Sequence, residues 1–398
     1  MTATLAPPPL RWDGTRLHVL DQTLLPAREE VLVLAGAEDT ARAIERLSVR
    51  GAPLIGVAAA FGLAMEVARE PSLGALERGA ERLATCRPTA RNLAWAVERV
   101  RTAALAAGPV RLAGAARAEA EEIQREDAAA SAALAEHGAA LLDSVLPRTA
   151  AEPAGAGDSA GGPSAAARST ATGSTTTGST ATGSTVTGSA ATGSSASDTS
   201  AAIAPVTILT HCNSGCLAAS GRGTGLGVIA ALADRRPVRV LACEARPLLQ
   251  GARLTVWELG RLGIEHALVV DAAAAGLIRT GRIDAVVTGL DRVAANGDVA
   301  NKVGTYGLAL AADAAGIPFV AAGPSSSVDG SLPSGDAIEI EERGADEVRI
   351  AAGSLLTVPG TPVRNPAFDV TPAALVWALV TERGVAQPVD AGSVTAVA

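Results

Sequence analysis

Residues 206–242 read VTILTHCNSGCLAASGRGTGLGVIAALADRRPVRVLA. A short, mostly apolar run (206–210) leads into a glycine-rich stretch. A helical pattern over 224–234 and a second apolar run (238–242) follow. Apolar runs of this length, bounded by turn residues, fit strands buried on both faces, and two such strands joined through a helix lie parallel. The unit repeats downstream. Apolar runs at 266–270, 284–290 and 318–322 alternate with helical patterns at 248–262, 272–280 and 302–315. The segment 205–398 therefore reads as a Rossmann-like catalytic domain built on a parallel sheet. Ligands of such sheets bind beyond the carboxyl ends of the strands. That rule puts Cys212 and Asp291, each just past a strand end, on one rim.

The preceding segment has a different grammar. LRWDGTRLHVL reads as a β-hairpin turning at Asp13-Gly14. Helical patterns cover Glu38–Leu47, Leu54–Ala68, Ala75–Ala84, Thr89–Ala107 and Leu112–Val145, with Glu38 and Thr89 as start signals. Residues 1–147 thus form a hairpin and helical domain. Between the halves, 148–204 carries a degenerate T-x-T-G-S repeat with almost no charge and few large apolar groups. Such a composition cannot offset chain entropy, so this insert is expected to be a disordered linker. A coil of that length spans roughly 40 Å. The fold class is α/β, with the insert between two domains.

The chain has 398 residues, 48% of them hydrophobic and 2% aromatic, enough for two domains with sizeable cores. A net charge of −8 argues against a nucleic-acid partner, which would need a basic face. A local group of cations could still hold an anionic substrate. No basic and apolar leader opens the chain, and the longest apolar run, 51–65, contains Pro53 and is too short for a span. No membrane partner is expected. Four scattered cysteines suggest a reducing, cytoplasmic setting. Of the 33 basic residues, a single one is lysine, Lys302 in NKVGTYG. In a chain so committed to arginine, the exception is either a place where a compact ammonium matters or a surface lysine that survives by chance.

Several chemistries compete at 210–227. His211, Cys212 and Cys216 give H-C-x3-C, but no second pair completes a zinc pattern, so no metal is expected. Gly221, Gly223, Gly225 and Gly227 alternate without matching G-x-G-x-x-G, which disfavours a dinucleotide. They could form an anion nest at a helix start, or merely a tight turn. Cys212 is either a thiol with a lowered pKa or a buried structural cysteine. Asp291, after VVTGL, is either an acid kept protonated by apolar surroundings or a cap paired with Arg292. Asn301 and Lys302 are placed at the opening of the next helix, where they would suit a phosphate. Arg50 (SVRGAPLIGV) and Arg87 (TCRPTARNLAW) stand at breaks in the helical pattern. Each is either an ordinary loop arginine or, together with Lys302, part of an anion-holding cleft.

VRGAPLIGVAAAFGLA, CRPTARNLAWAVE, THCNSG, CEARPLLQGARLTVWEL, GLDRVAANGDVANKVGTYGLA and NPAFDVTPAAL together resemble the S-methyl-5-thioribose-1-phosphate isomerase family of methionine salvage. That family shares a superfamily with the regulatory α, β and δ subunits of the eukaryotic initiation-factor guanine-nucleotide exchange complex and with archaeal ribose-1,5-bisphosphate isomerase. The resemblance covers nearly all of 10–385 outside the insert. It implies Cys212 as the catalytic thiol and Asp291 as the proton donor. It implies substrate contacts from Arg50, Gly51, Ala52, Arg87, Gln250, Asn301 and Lys302. It also implies a small phosphorylated sugar as substrate, no cofactor and a homodimer. Ser214 stands where the family has Ala, and Leu290 where it has Ala before the Asp. The insert is foreign to the pattern.

The implied reaction converts an aldose blocked at C1 by phosphate into its ketose 1-phosphate. The ring must open with the phosphate in place, then hydrogen must move from C2 to C1. A ribose 1,5-bisphosphate substrate would need a second phosphate site. A non-catalytic subunit would not need the Cys212 and Asp291 pair.

Overall fold

The computed structural model of the chain describes residues 8–87, 91–147, 204–351 and 353–398. The linker expected at 148–204 lies outside them apart from Ala204, as does the helix-start residue Thr89.

The chain opens with β1 (Leu10–Trp12) and β2 (Leu17–Leu20). Their turn is fixed by Asp13, whose Oδ1 accepts the backbone N–H groups of Thr15 and Arg16 at 2.9 and 2.8 Å. A further strand, β3 (Val31–Leu34), pairs antiparallel with β2 and makes the expected hairpin a three-stranded sheet. Five helices follow: α1 (Ala37–Glu45), α2 (Ala52–Arg69), α3 (Leu73–Thr85), α4 (Arg91–Ala107) and α5 (Leu112–Val145). Apolar on almost every side, α2 is the core helix that the others surround. Among the described residues it alone is long and apolar enough to cross a membrane, and it is spent as core. The first turns of α5 (Leu112, Ala116, Ala120, Ile123) complete the core of the helical half. Its last turns (Leu134, Ala135, Ala139, Leu142) pack on the large sheet of the other half.

That half begins with β4 (Val206–Thr210), α6 (Gly225–Ala233) and β5 (Val238–Cys243). The expected helix over 248–262 is a π-helical turn, Gly251–Thr255, running into α7 (Val256–Leu262). Next come β6 (Glu265–Val269), α8 (Ala274–Arg279), β7 (Ala285–Gly289), β8 (Arg292–Ala294), β9 (Val299–Lys302), α9 (Thr305–Ala315), β10 (Phe319–Ala322) and β11 (Val328–Asp329). The chain closes with α10 (Asp346–Arg349), β12 (Ile350–Ala351), β13 (Ser354–Leu355), β14 (Phe368–Thr371), β15 (Ala378–Thr381), β16 (Gly384–Ala386) and α11 (Ala391–Ala396).

The main sheet has the order β16-β15-β10-β7-β4-β5-β6. All its pairings are parallel except β15 with β16. A second sheet, β11-β8-β9-β14, was not expected. It corrects one placement. Asn301 and Lys302 do not open a helix but end β9, paired with Asp369 and Phe368 of β14. Helix α9 starts only at Thr305, after Gly304 turns with φ 105°. The ladder to a distant strand outweighs the local helical pattern.

Candidate active site

Strands β4 and β7 are neighbours in the main sheet, so the loops leaving their carboxyl ends meet. Cys212 and Asp291 lie on those loops. One cavity there is lined by all nine residues singled out in the sequence: Arg50, Gly51, Ala52, Arg87, Cys212, Gln250, Asp291, Asn301 and Lys302. The helical half contributes the loop before α2 and Arg87. The second sheet contributes the end of β9.

The cations are oriented, not free. Buried Arg50 donates from Nη1 to Asn213 Oδ1 at 2.5 Å and from Nη2 to the Asn213 carbonyl at 2.6 Å. Arg87 donates to Glu341 Oε2 at 3.1 Å, and Glu341 also pairs with Arg343, another cavity residue. Lys302 Nζ, likewise buried, donates to the Ala367 carbonyl at 2.8 Å and sits 4.6 Å over the Phe368 ring. Gln250 Oε1 is buried with no hydrogen-bond partner, as expected of a group reserved for a ligand.

Burial pushes the Asp291 carboxyl up from the ordinary aspartate range, while Lys302, Arg87 and Arg50 pull the other way without cancelling it. Burial pushes the Lys302 ammonium down, opposed by Cys212 and Asp291. The other thiols are suppressed. Burial raises Cys86 to about 11 and Cys243 to about 12, and it raises Cys216 still further, helped by the neighbouring Glu258.

The glycine-rich loop resolves as a tight turn. A Cβ at Gly223 would stand 2.3 Å from the Gly215 carbonyl carbon, and one at Gly225 2.6 Å from that of Thr288. The backbone N–H groups of Thr224 and Leu226 both go to the Ser214 carbonyl, at 2.7 and 3.3 Å. Ser214 Oγ accepts from Leu226 as well, at 3.1 Å, so this departure from the family pattern is absorbed as support for the start of α6. Leu290, the other departure, joins the core between β7 and α9.

His211 does not gather with Cys212 and Cys216. Among the described residues, the one group able to hold a metal is His211 with Cys243 and Asp271, their ligand atoms within 4.8 Å of one another. His211 is buried and neutral, its pKa lowered by burial. Its Nε2–H donates to the Val303 carbonyl at 2.9 Å, which ties the Cys212 loop to the segment after Lys302.

The cavity also includes Leu47, Leu248, Arg343 and Phe368, which motif reading did not select. Two of them lie in quoted motifs, Phe368 in NPAFDV and Leu248 in CEARPLLQGARL.

Residues 201–388 match the Initiation factor 2 subunit family. The chain is 43% identical to a methylthioribose-1-phosphate isomerase of Anaeromyxobacter sp. (strain Fw109-5), over 98% of this chain and 99% of that one. It is 41% identical to a protein of the same name from Alcanivorax borkumensis, covering 97% and 95%. The fold is similar to the crystal structure of 5-methylthioribose 1-phosphate isomerase from Pyrococcus horikoshii OT3, with TM-score 0.77 and 32% identity over 99% of this chain and 96% of that one. It also resembles the translation initiation factor eIF-2B subunit delta from A. fulgidus, with TM-score 0.72 and 31% identity over 98% and 99%.

Proposed function

Because the chain belongs to the methylthioribose-1-phosphate isomerase family, we propose that it converts S-methyl-5-thioribose 1-phosphate to S-methyl-5-thioribulose 1-phosphate, an aldose–ketose isomerisation of methionine salvage. The observation that carries this reading is the Asp291 carboxyl, raised by burial and facing the same cavity as Cys212. An acid is needed first. The C1 phosphate blocks the spontaneous ring opening of a free sugar. Protonated Asp291 gives its proton to the ring oxygen as the bond from C1 to that oxygen breaks. Cys212, as thiolate, takes the proton from C2 and returns it to C1. The carboxylate left on Asp291 accepts the proton of the C2 hydroxyl as the ketone forms, so both groups end as they began.

Arg50, Arg87, Lys302 and Asn301 hold the phosphate, with Gln250 on a sugar hydroxyl and the backbone of Gly51 and Ala52 closing the site. Positioning of this kind supplies a large part of the rate. Leu47, Leu248 and Phe368 give the methylthio end an apolar lining. A route that needs only proton transfers calls for no cofactor. We further infer a cytoplasmic homodimer with no nucleic-acid or membrane partner. In favour are the net charge of −8 and the edge strand β6, which leaves Leu268 52% exposed with Val270 beside it at 57%. Light scattering on the purified protein tests the dimer. For the reaction, the protein is incubated with methylthioribose 1-phosphate and, separately, ribose 1,5-bisphosphate, with ketose followed by NMR. Ketose from the second substrate alone, or from neither, overturns the assignment.

A further inference from the structure

Cys212 has φ 61°, the left-handed region that residues other than glycine avoid. Such a conformation persists where the surroundings over-determine it. The segment running into α7 does so. Thr255 Oγ1 donates to the Cys212 carbonyl at 2.6 Å. Three residues on, along the same helical face, Glu258 sends its carboxylate into the loop after Cys212. Glu258 Oε1 accepts from Asn213 Nδ2 at 2.6 Å, and Oε2 accepts from the Cys216 backbone N–H at 2.7 Å. Both side chains are buried. The fit leaves no slack, since a Cβ at Gly215 would stand 2.2 Å from Glu258 Oε2.

Asn213 passes the order on. Its amide nitrogen is committed to Glu258 and, at 3.3 Å, to Thr255 Oγ1, so its Oδ1 must face Arg50, which grips that oxygen and the Asn213 carbonyl together. Burial pushes the Glu258 carboxyl up, and the donors around it, from Asn213 and the backbone of Cys216 and Leu217, pull the other way. The loop offers its two oxygens donors only. A glutamine there would turn its own NH2 towards an N–H in either orientation.

We propose that Thr255 and Glu258 are positioning residues. Thr255 fixes Cys212 in its strained turn, and Glu258 aims the Arg50 guanidinium into the cavity through the Asn213 amide. The proposal rests on the isomerase reading, and its test separates the two. Thr255→Val removes the hydroxyl and keeps the shape. It lowers kcat about tenfold or more, the scale of one lost hydrogen bond in the transition state, with KM near wild type. Glu258→Gln, acting through Arg50, raises KM as well. Thr255→Ser, which keeps the hydroxyl, restores kcat to within about threefold.

Iodoacetamide alkylation of Cys212 at pH 7, followed by peptide mass spectrometry, reads the same geometry without substrate. Held by Thr255, the thiol shares the cavity with Lys302. Released, it loses that placement, and its alkylation in Thr255→Val changes by about threefold or more. Circular dichroism melts confirm that each variant is folded. Wild-type kcat together with a wild-type alkylation rate in Thr255→Val overturns the proposal, as does a Thr255→Ser protein no better than the valine. A wild type that makes no ketose, with the change in alkylation rate intact, removes the isomerase reading and leaves the positioning standing.

Discussion

Replacing Lys302 tests whether the lone lysine is a chemical choice. Its ammonium has three donors. One is spent on the Ala367 carbonyl at 2.8 Å, and one side of the group is pressed on the Phe368 ring at 4.6 Å. The remainder faces the cavity. A charge-assisted hydrogen bond to substrate is worth about 1.5–3 kcal/mol. At 1.4 kcal/mol per factor of ten, Lys302→Ala weakens ligand binding about tenfold to more than a hundredfold. Lys302→Arg keeps the charge but lengthens the side chain from a fixed register opposite Phe368. The forked head overreaches the Ala367 carbonyl and no longer stacks at the same height, so affinity falls between the other two. Calorimetric titration of the three proteins with inorganic phosphate, beside KM for the sugar phosphate, reads the order directly. Equal affinities for wild type and Lys302→Arg would show that any cation serves. An unchanged Lys302→Ala would remove the residue from the site.

Cys212→Ser is expected to fold as wild type and lose turnover by orders of magnitude, because a hydroxyl is far less acidic than a thiol; near-normal NMR turnover refutes a proton-shuttling role. Asp291→Asn should retain phosphate binding while turnover collapses, and a proportional loss of both would make the carboxylate structural. The same variant has a pH signature. A carboxyl whose folded pKa is raised favours the fold below its unfolded value, and that benefit is lost as pH rises through the folded one. The asparagine should therefore melt no lower than wild type at pH 8 and show no advantage at pH 4; a lower melting temperature at pH 8 contradicts the burial argument. Deleting 155–198 should leave turnover unchanged and melting temperature nearly so, since the shortening amounts to about two halvings of the connection, each worth only about 0.6 kcal/mol of closure entropy. Loss of soluble expression would show that the insert has partners.

Much of this architecture is legible because its signals are local. Helix α5 spans Leu112–Val145, as its pattern of apolar and small residues indicates, and β4 spans 206–210. The rim followed from one rule about strand ends. What escaped depends on distance along the chain. Strand β9 is a strand only because β14 pairs with it, and no window around NKVG contains that partner. Arg343 reaches the cavity from the loop between the 3-10 turn Gly335–Ala337 and α10. Glu258 in VWEL looks like a solvated helix charge, since sequence cannot tell that the loop after Cys212 covers it. The glycines of 221–227 were ambiguous for a related reason. A nest and a close approach demand the same residue, and only the neighbours at Gly215 and Thr288 distinguish them.

Helix α5 carries a consequence for how the molecule comes apart. It packs against α2 and α4 through one portion and against α6 and β15 through another. Neither interior is complete without its share of that single rod, roughly 50 Å long at 1.5 Å per residue. Fraying at one end therefore strips cover from a core while tugging on the cover of the other. The two halves are bound into one cooperative unit, although they read as separate domains. The insert begins just past the last turn of α5. A protease cutting within 155–198 would leave the whole helix on the first fragment, still seated on the sheet of the second. The nicked protein would persist as a two-piece complex rather than two independent folds.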